Sequence, residues 1–397
     1  MKKTKRRFRI GIFINPLLLF SIFITSCSGQ DKKNKLQNNT FKKDSIYTDP
    51  TKKNNTSTLQ DDRNPLQNLN VEDQMMLVLR RIFQDTKGNI WFVGDNILCY
   101  NGDTLVDLSN HDVFHKTVVR QIKEDERGNI WFGSSDGIIK YDPLINPNIG
   151  STNFLTERTG FIKFTKEDGL IDNDVWSLAI DNKGTLWVGT LEGVDTFDGT
   201  SFCTFPIPES EPDTSRGVTS AKIVHSIIQD SKGNIWFGTN GGAYIYDPSN
   251  KQKVEKITLT HISKEDGLCG NTVNDILEDR SGNIWFATHH KGVCFWDGTS
   301  FTHITNKVSI KGGESWSLYE DKSGTIWFPI EHAGIYSYDG KSFNNFYKKD
   351  GLELSTVHSV IEDNSGIFWF GGFGGLYRYD GKSFVNVTVD YSWKNGR

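Results

Sequence analysis

The chain has 397 residues, 36% of them hydrophobic and 12% aromatic, with 45 Lys and Arg against 49 Asp and Glu for a formal net charge of −4. That length accommodates one large domain, and a slightly acidic balance provides no field for gripping a polyanion, so nucleic acid is not an expected partner.

The first 27 residues read as an export signal. Lys2, Lys3, Lys5, Arg6, Arg7 and Arg9 precede an apolar stretch from Ile10 to Ile24, shorter than the roughly 20 residues a membrane-spanning helix needs. The stretch closes on Ile24-Thr25-Ser26-Cys27, which resembles a bacterial lipobox; the resemblance implies lipidation at Cys27. Residues 28–70 are mostly Lys, Asn, Gln, Asp, Thr and Ser, too poor in apolar anchors to fold alone, and are expected to form a disordered polar tether. The expected location is the bacterial cell envelope, lipid-anchored and facing the periplasm or the cell surface.

Residues 71–397 are dominated by one repeated segment, Asp-x-x-Gly-x-(Ile/Leu/Phe)-Trp. It runs from Asp85 to Trp91, Asp125 to Trp131, Asp181 to Trp187, Asp230 to Trp236, Asp279 to Trp285, Asp321 to Trp327 and Asp363 to Trp369. A unit of about 40–50 residues made of short strands predicts an all-β fold, a seven-bladed β-propeller of four-stranded antiparallel blades. The last unit shows the pattern: Thr356 to Asp363, Ile367 to Gly371, Leu376 to Asp380 and Ser383 to Val387 are aromatic or β-branched runs separated by turn residues. Within each unit these strands are named A to D. The repeated Asp and Gly suit the A–B turn, and the repeated Trp, at the start of strand B, suits the wedge between neighbouring sheets. All three are expected to build the fold rather than a site.

With these features on view, the units resemble the two-component regulator propeller repeat. The pattern appears as Lys264-Glu-Asp-Gly-Leu268, Val273 to Asp279, Gly282-Asn-Ile-Trp285 and Gly292-Val-Cys-Phe-Trp-Asp297; the lead-in recurs at Lys166 to Leu170 and Lys348 to Leu352. That resemblance implies a ligand-binding sensor. Such propellers are best known as the periplasmic half of hybrid sensors, and no output region is expected here. Signalling would therefore pass to a separate partner such as an envelope histidine kinase. The Gly-Asn-Ile-Trp-Phe strands also resemble streptogramin lyases, which implies an alternative enzyme using His and Mg²⁺, with His225, His289, His332 or His358 moving the proton and Glu331 as metal ligand or acid. A protein-docking scaffold is a third class.

Cys99, Cys203, Cys269 and Cys294 show no Cys-x-x-Cys spacing for zinc; an exported chain permits a disulfide without the sequence indicating one. Strand direction places the D–A and B–C loops on one face, the top. Five residues before each turn Asp stand Arg80, Arg120, Trp176, His225, Asn274, Trp316 and His358, whereas three residues before it every blade has Ile, Leu or Val. Uniform positions share a packing task, and the varied ring near the channel mouth is the candidate ligand site. His289 and His332 join it as top-loop histidines; His111, His115 and His290 also map to the top, His261 and His303 to D strands. The two tryptophans suit stacking on a sugar or aromatic ring, and the arginines and Asn274 suit hydroxyls or carboxylates. A small molecule or an oligosaccharide is the expected ligand. Neither a cofactor nor a metal site is expected, because the histidine spacing supplies no chelate pattern.

Overall fold

The computed structural model describes residues 78–387 apart from 103, 146–159, 212–219, 250–256, 308–309 and 311–312. Cys27 and the tether lie outside the described residues. Seven sheets of four antiparallel strands each follow chain order, a seven-bladed propeller. The A strands are Leu79–Gln84, Val119–Glu124, Val175–Ile180, Val224–Gln229, Val273–Glu278, Tyr319–Glu320 and Thr356–Glu362, and they line the central channel. Strand B starts one residue before each repeated Trp, which is therefore its second residue in all seven blades.

The A–B turn explains the repeated Asp. Asp363 Oδ1 accepts from the amides of Ser365 and Ile367 at 2.8 and 3.0 Å, while Gly366 takes φ 81°, a conformation that penalises any Cβ. Its other oxygen has a second task that the turn alone does not require. Asp363 Oδ2 accepts from the Trp369 indole at 2.7 Å, and all seven Asp–Trp pairs repeat this bond at 2.7–3.0 Å. Each tryptophan can thus be buried with its only donor satisfied; none is more than 6% exposed.

Seven hydrophobic clusters occupy the seven junctions between blades, and each contains the Trp of one neighbour. Blades 7 and 1 close without exchanging strands: Trp369, Leu376 and Val387 pack against Leu79, Ile82, Phe92 and Leu98. A Cβ on Gly371 would stand 3.1 Å from Leu79 Cβ, so any larger residue there would press the two blades apart by a few tenths of an ångström. The lead-in motif serves the same junctions, since Leu170, Leu268 and Leu352 follow short 3₁₀ turns and are buried there.

Side-chain ties on the opposite face link successive blades. The residue just before the turn Asp accepts from the amide just after the turn Asp of the preceding blade: Glu124 from Thr86, Gln229 from Asn182, Glu278 from Ser231, Glu320 from Arg280, Glu362 from Lys322 and Gln84 from Asn364. Between blades 2 and 3 the corresponding position is Ile180, which has no oxygen to offer.

Cys269 and Cys294 form a disulfide within blade 5, with Cα atoms 5.9 Å apart. Cys99 is free and buried, and Cys203 is free and exposed.

Candidate functional site

Arg80, Arg120, Trp176, His225, Asn274, Trp316 and His358 line one funnel at the channel mouth, together with Arg81. A local irregularity brings them there. In six blades the A–B register skips one residue of strand A, and the skipped residue is Arg80, Arg120, Trp176, His225, Asn274 or His358. Each is the extra residue of a β-bulge, set out of the ladder and free to aim elsewhere.

The bulge follows from the apolar spacing. Leu79 and Ile82, Val119 and Ile122, Val175 and Leu178, Val224 and Ile227, Val273 and Ile276, and Val357 and Val360 each share a junction cluster. Residues three apart on a regular strand face opposite sides; one bulged residue between them restores both to the same side.

Blade 6 departs from this plan. Its A strand is only Tyr319–Glu320, so Trp316 lies before the strand rather than within it as the sequence reading had placed it. Pro329 stands in strand B where other blades have Val93, Gly133 or Gly189, and it has no N–H to give strand A. Blade 5 side chains partner the displaced backbone: Asp275 accepts from the Leu318 amide at 3.1 Å, and Asn274 donates to the Ser315 carbonyl at 2.9 Å.

The ring side chains support one another. Arg120 pairs with Asp174 and lies over the Trp176 ring, 4.8 Å from its centroid. Trp176 donates to Asp174 at 3.2 Å and meets His225 edge-on, and His225 is 2.8 Å from Asn240 Oδ1. Trp316 lies against His358, their centroids 5.2 Å apart. Arg81 spans the channel to Asp275 at 3.8 Å.

Burial, followed by the charges of Arg80 and Arg81, lowers the His358 pKa to about 3, so its imidazole is neutral at pH 7. Burial also lowers the Arg120 guanidinium, with Asp174 opposing and Arg80 reinforcing the shift. Deeper in the channel, burial and Arg81 lower the Lys123 ammonium against the pull of Asp275.

His289 and His332 do not line the funnel. His289 is buried, 2.5 Å from Glu314 Oε1, which also accepts from Asn274 at 3.1 Å, so it stands behind the ring. His332, at φ 60°, leaves its side chain 78% exposed on the B–C loop. His111 is buried as the cap of a 3₁₀ turn, accepting from Val113. Glu331 accepts from the Thr356 hydroxyl at 3.2 Å. Among the described residues no three His, Cys, Asp or Glu converge as a metal set.

The free space at the mouth is about 70 Å³, room for a few water-sized groups and therefore for one end of a larger ligand. Two wider clefts open on the outer flank: about 630 Å³ by His261, Trp296 and His303 between blades 4 and 5, and about 400 Å³ by Trp131, Lys140 and Ile180 between blades 2 and 3.

Fold and funnel together define a β-propeller with a polar, aromatic and cationic channel mouth. The family described as "Two component regulator propeller" matches residues 114–136, 169–192, 217–241 and 267–290, so four segments of the chain are similar to that repeat. No curated relative matches it. Among solved structures it is similar to the extracellular domain of a proposed hybrid two-component system, BT3049, from B. thetaiotaomicron: 20% identity and TM-score 0.60, covering 78% of this chain and 40% of that one. A streptogramin B lyase aligns at 13% identity and TM-score 0.56, covering 77% of this chain and 95% of the lyase. PorZ, a surface component of the type-IX secretion system of Porphyromonas gingivalis, aligns at 14% identity and TM-score 0.55, covering 77% of this chain and 46% of PorZ. The chain thus spans about two-fifths of the length of that extracellular domain. At these identities the likenesses establish the fold.

Proposed function

We propose that this chain is an extracytoplasmic sensor propeller, tethered to the membrane through lipid at Cys27, which recognises a small molecule or one end of an oligosaccharide at its channel mouth and signals through a separate partner. The observation that carries the reading is the set of six equivalent bulges. They deliver chemically different side chains to one funnel, while the positions that build the fold stay uniform. The two-component regulator repeats support a sensor, and the Cys269–Cys294 disulfide suits an oxidising compartment.

Calorimetry with a panel of neutral and acidic oligosaccharides tests the site. A binder that loses at least tenfold in affinity with folded Trp176→Ala or Trp316→Ala supports it; binding unchanged in both variants overturns the assignment. Membrane fractionation of Cys27→Ser tests the anchor, which is refuted if the variant still pellets with membranes.

A further inference from the structure

We propose that the funnel is a carboxylate site, with Arg80 supplying the charge and the His358 imidazole a hydrogen bond; this rests on the ligand-binding reading above and names the chemistry of the ligand.

Three arginines face the mouth but only two carboxylates answer them: Asp174 pairs with Arg120, and Asp275 with Arg81. Among the described residues Arg80 has no ion-pair partner, and its buried Nε makes no hydrogen bond. His358 is 7% exposed and its Nε2 is likewise buried without a bond. Two unsatisfied polar groups from adjoining blades thus border the same cavity. Leaving such groups unmade is costly, and a partner carrying one negative charge and two acceptor oxygens matches an arginine fork and an imidazole together.

The surroundings favour an anion over a neutral guest. Arg80 and Arg81 repel a proton on His358, and Arg80 acts the same way on Arg120, so positive charge is in excess where these side chains meet. The other groups packed around His358 are the rings of Trp316 and Phe373, which carry no charge. Glu331 on the blade 6 side is bonded to the Thr356 hydroxyl. A bound carboxylate would screen the arginines and make His358 easier to protonate.

The probes are D-glucuronate and acetylalanine, a sugar acid and a peptide-like acid, beside their neutral counterparts glucose and acetylalanine amide. His358 is followed by the pH titration of its imidazole signals in NMR spectra. The expected result is saturable binding of at least one acid, an upward shift of the His358 titration, no such shift with the neutral counterpart, and at least tenfold weaker binding in Arg80→Gln. Whichever acid binds more tightly identifies the source of the carboxylate. Equal response to acid and amide or sugar, no response to either acid, or unchanged binding in Arg80→Gln overturns the proposal. In the same panel, a neutral oligosaccharide that binds and is weakened by Trp176→Ala would sink the carboxylate site while leaving the ligand-binding reading standing.

Discussion

The backbone amide of Asn364 donates to Gln84 Oε1 at 2.8 Å, tying the last blade to the first across 280 positions of sequence. The same tie joins five other pairs of neighbours, so the junction that closes the ring uses the chemistry of junctions inside the chain. Replacing Gln84 with Ala should remove the bond and leave the packing of Leu79 and Ile82 in place. The expected loss is about 0.5–1 kcal/mol in urea unfolding. A loss several times larger would show that Gln84 holds the closure rather than trimming it.

Trp236→Phe keeps an aromatic ring in its junction and deletes the 2.8 Å bond to Asp230. The buried Asp230 then lacks one donor for its carboxylate. A destabilisation of about 1–3 kcal/mol is expected from equilibrium unfolding, with the double variant Trp236→Phe/Asp230→Asn measuring the coupling. Additive effects of the two substitutions would remove the bond from the account of the repeat.

Two pH windows follow from the shifted groups. Burial raises Asp125 and Asp321, but bonds from Trp131 and Asn129 to the first, and from Ser323 and Trp327 to the second, outweigh it and leave both pKa values lowered. Their contribution is present above the unfolded carboxylate pKa of about 4 and is lost as pH falls through the lower folded values. His358 acts higher: the unfolded chain takes up its proton at about 6.5, the folded chain only at about 3, so stability falls as pH drops between the two. Unfolding free energies from urea titrations between pH 7 and 4 should fall for wild type relative to His358→Gln on acidification, by no more than about 1.4 kcal/mol per pH unit. Parallel curves would mean that His358 does not titrate as its surroundings require.

Reducing the Cys269–Cys294 bond, which closes a separation of 25 residues, should cost about 2–4 kcal/mol. Thermal unfolding with and without dithiothreitol measures it, using Cys269→Ser/Cys294→Ser as the control that no longer responds. An equal response in that variant would assign the effect to something other than this bond.

The blade count and the seven junction tryptophans were legible because Asp, Gly and Trp recur at fixed offsets. The funnel was legible in part. Counting back from each turn Asp found the seven ring positions, since repeat equivalence survives any local distortion. Arg81 was missed because strict two-residue alternation turns the neighbour of a channel-facing residue away; the bulge at Arg80 breaks that alternation. The clue was present in the three-residue spacing of Leu79 and Ile82. His332 was misplaced for another reason: assigning a loop to the top face does not say whether its side chain turns toward the axis or outward. The blade 6 irregularity had its own signal in Pro329, the single imino acid among the seven B strands.

Closure without strand exchange has a consequence for how the ring could be rebuilt. Because each blade is one continuous stretch and the seventh junction resembles the rest, no blade is privileged as the start. A chain linked between blades 7 and 1 and cut in the segment between blades 2 and 3, where Ile180 provides no tie, should still form a complete circle; such circular permutants would make the order of synthesis independent of the order around the axis.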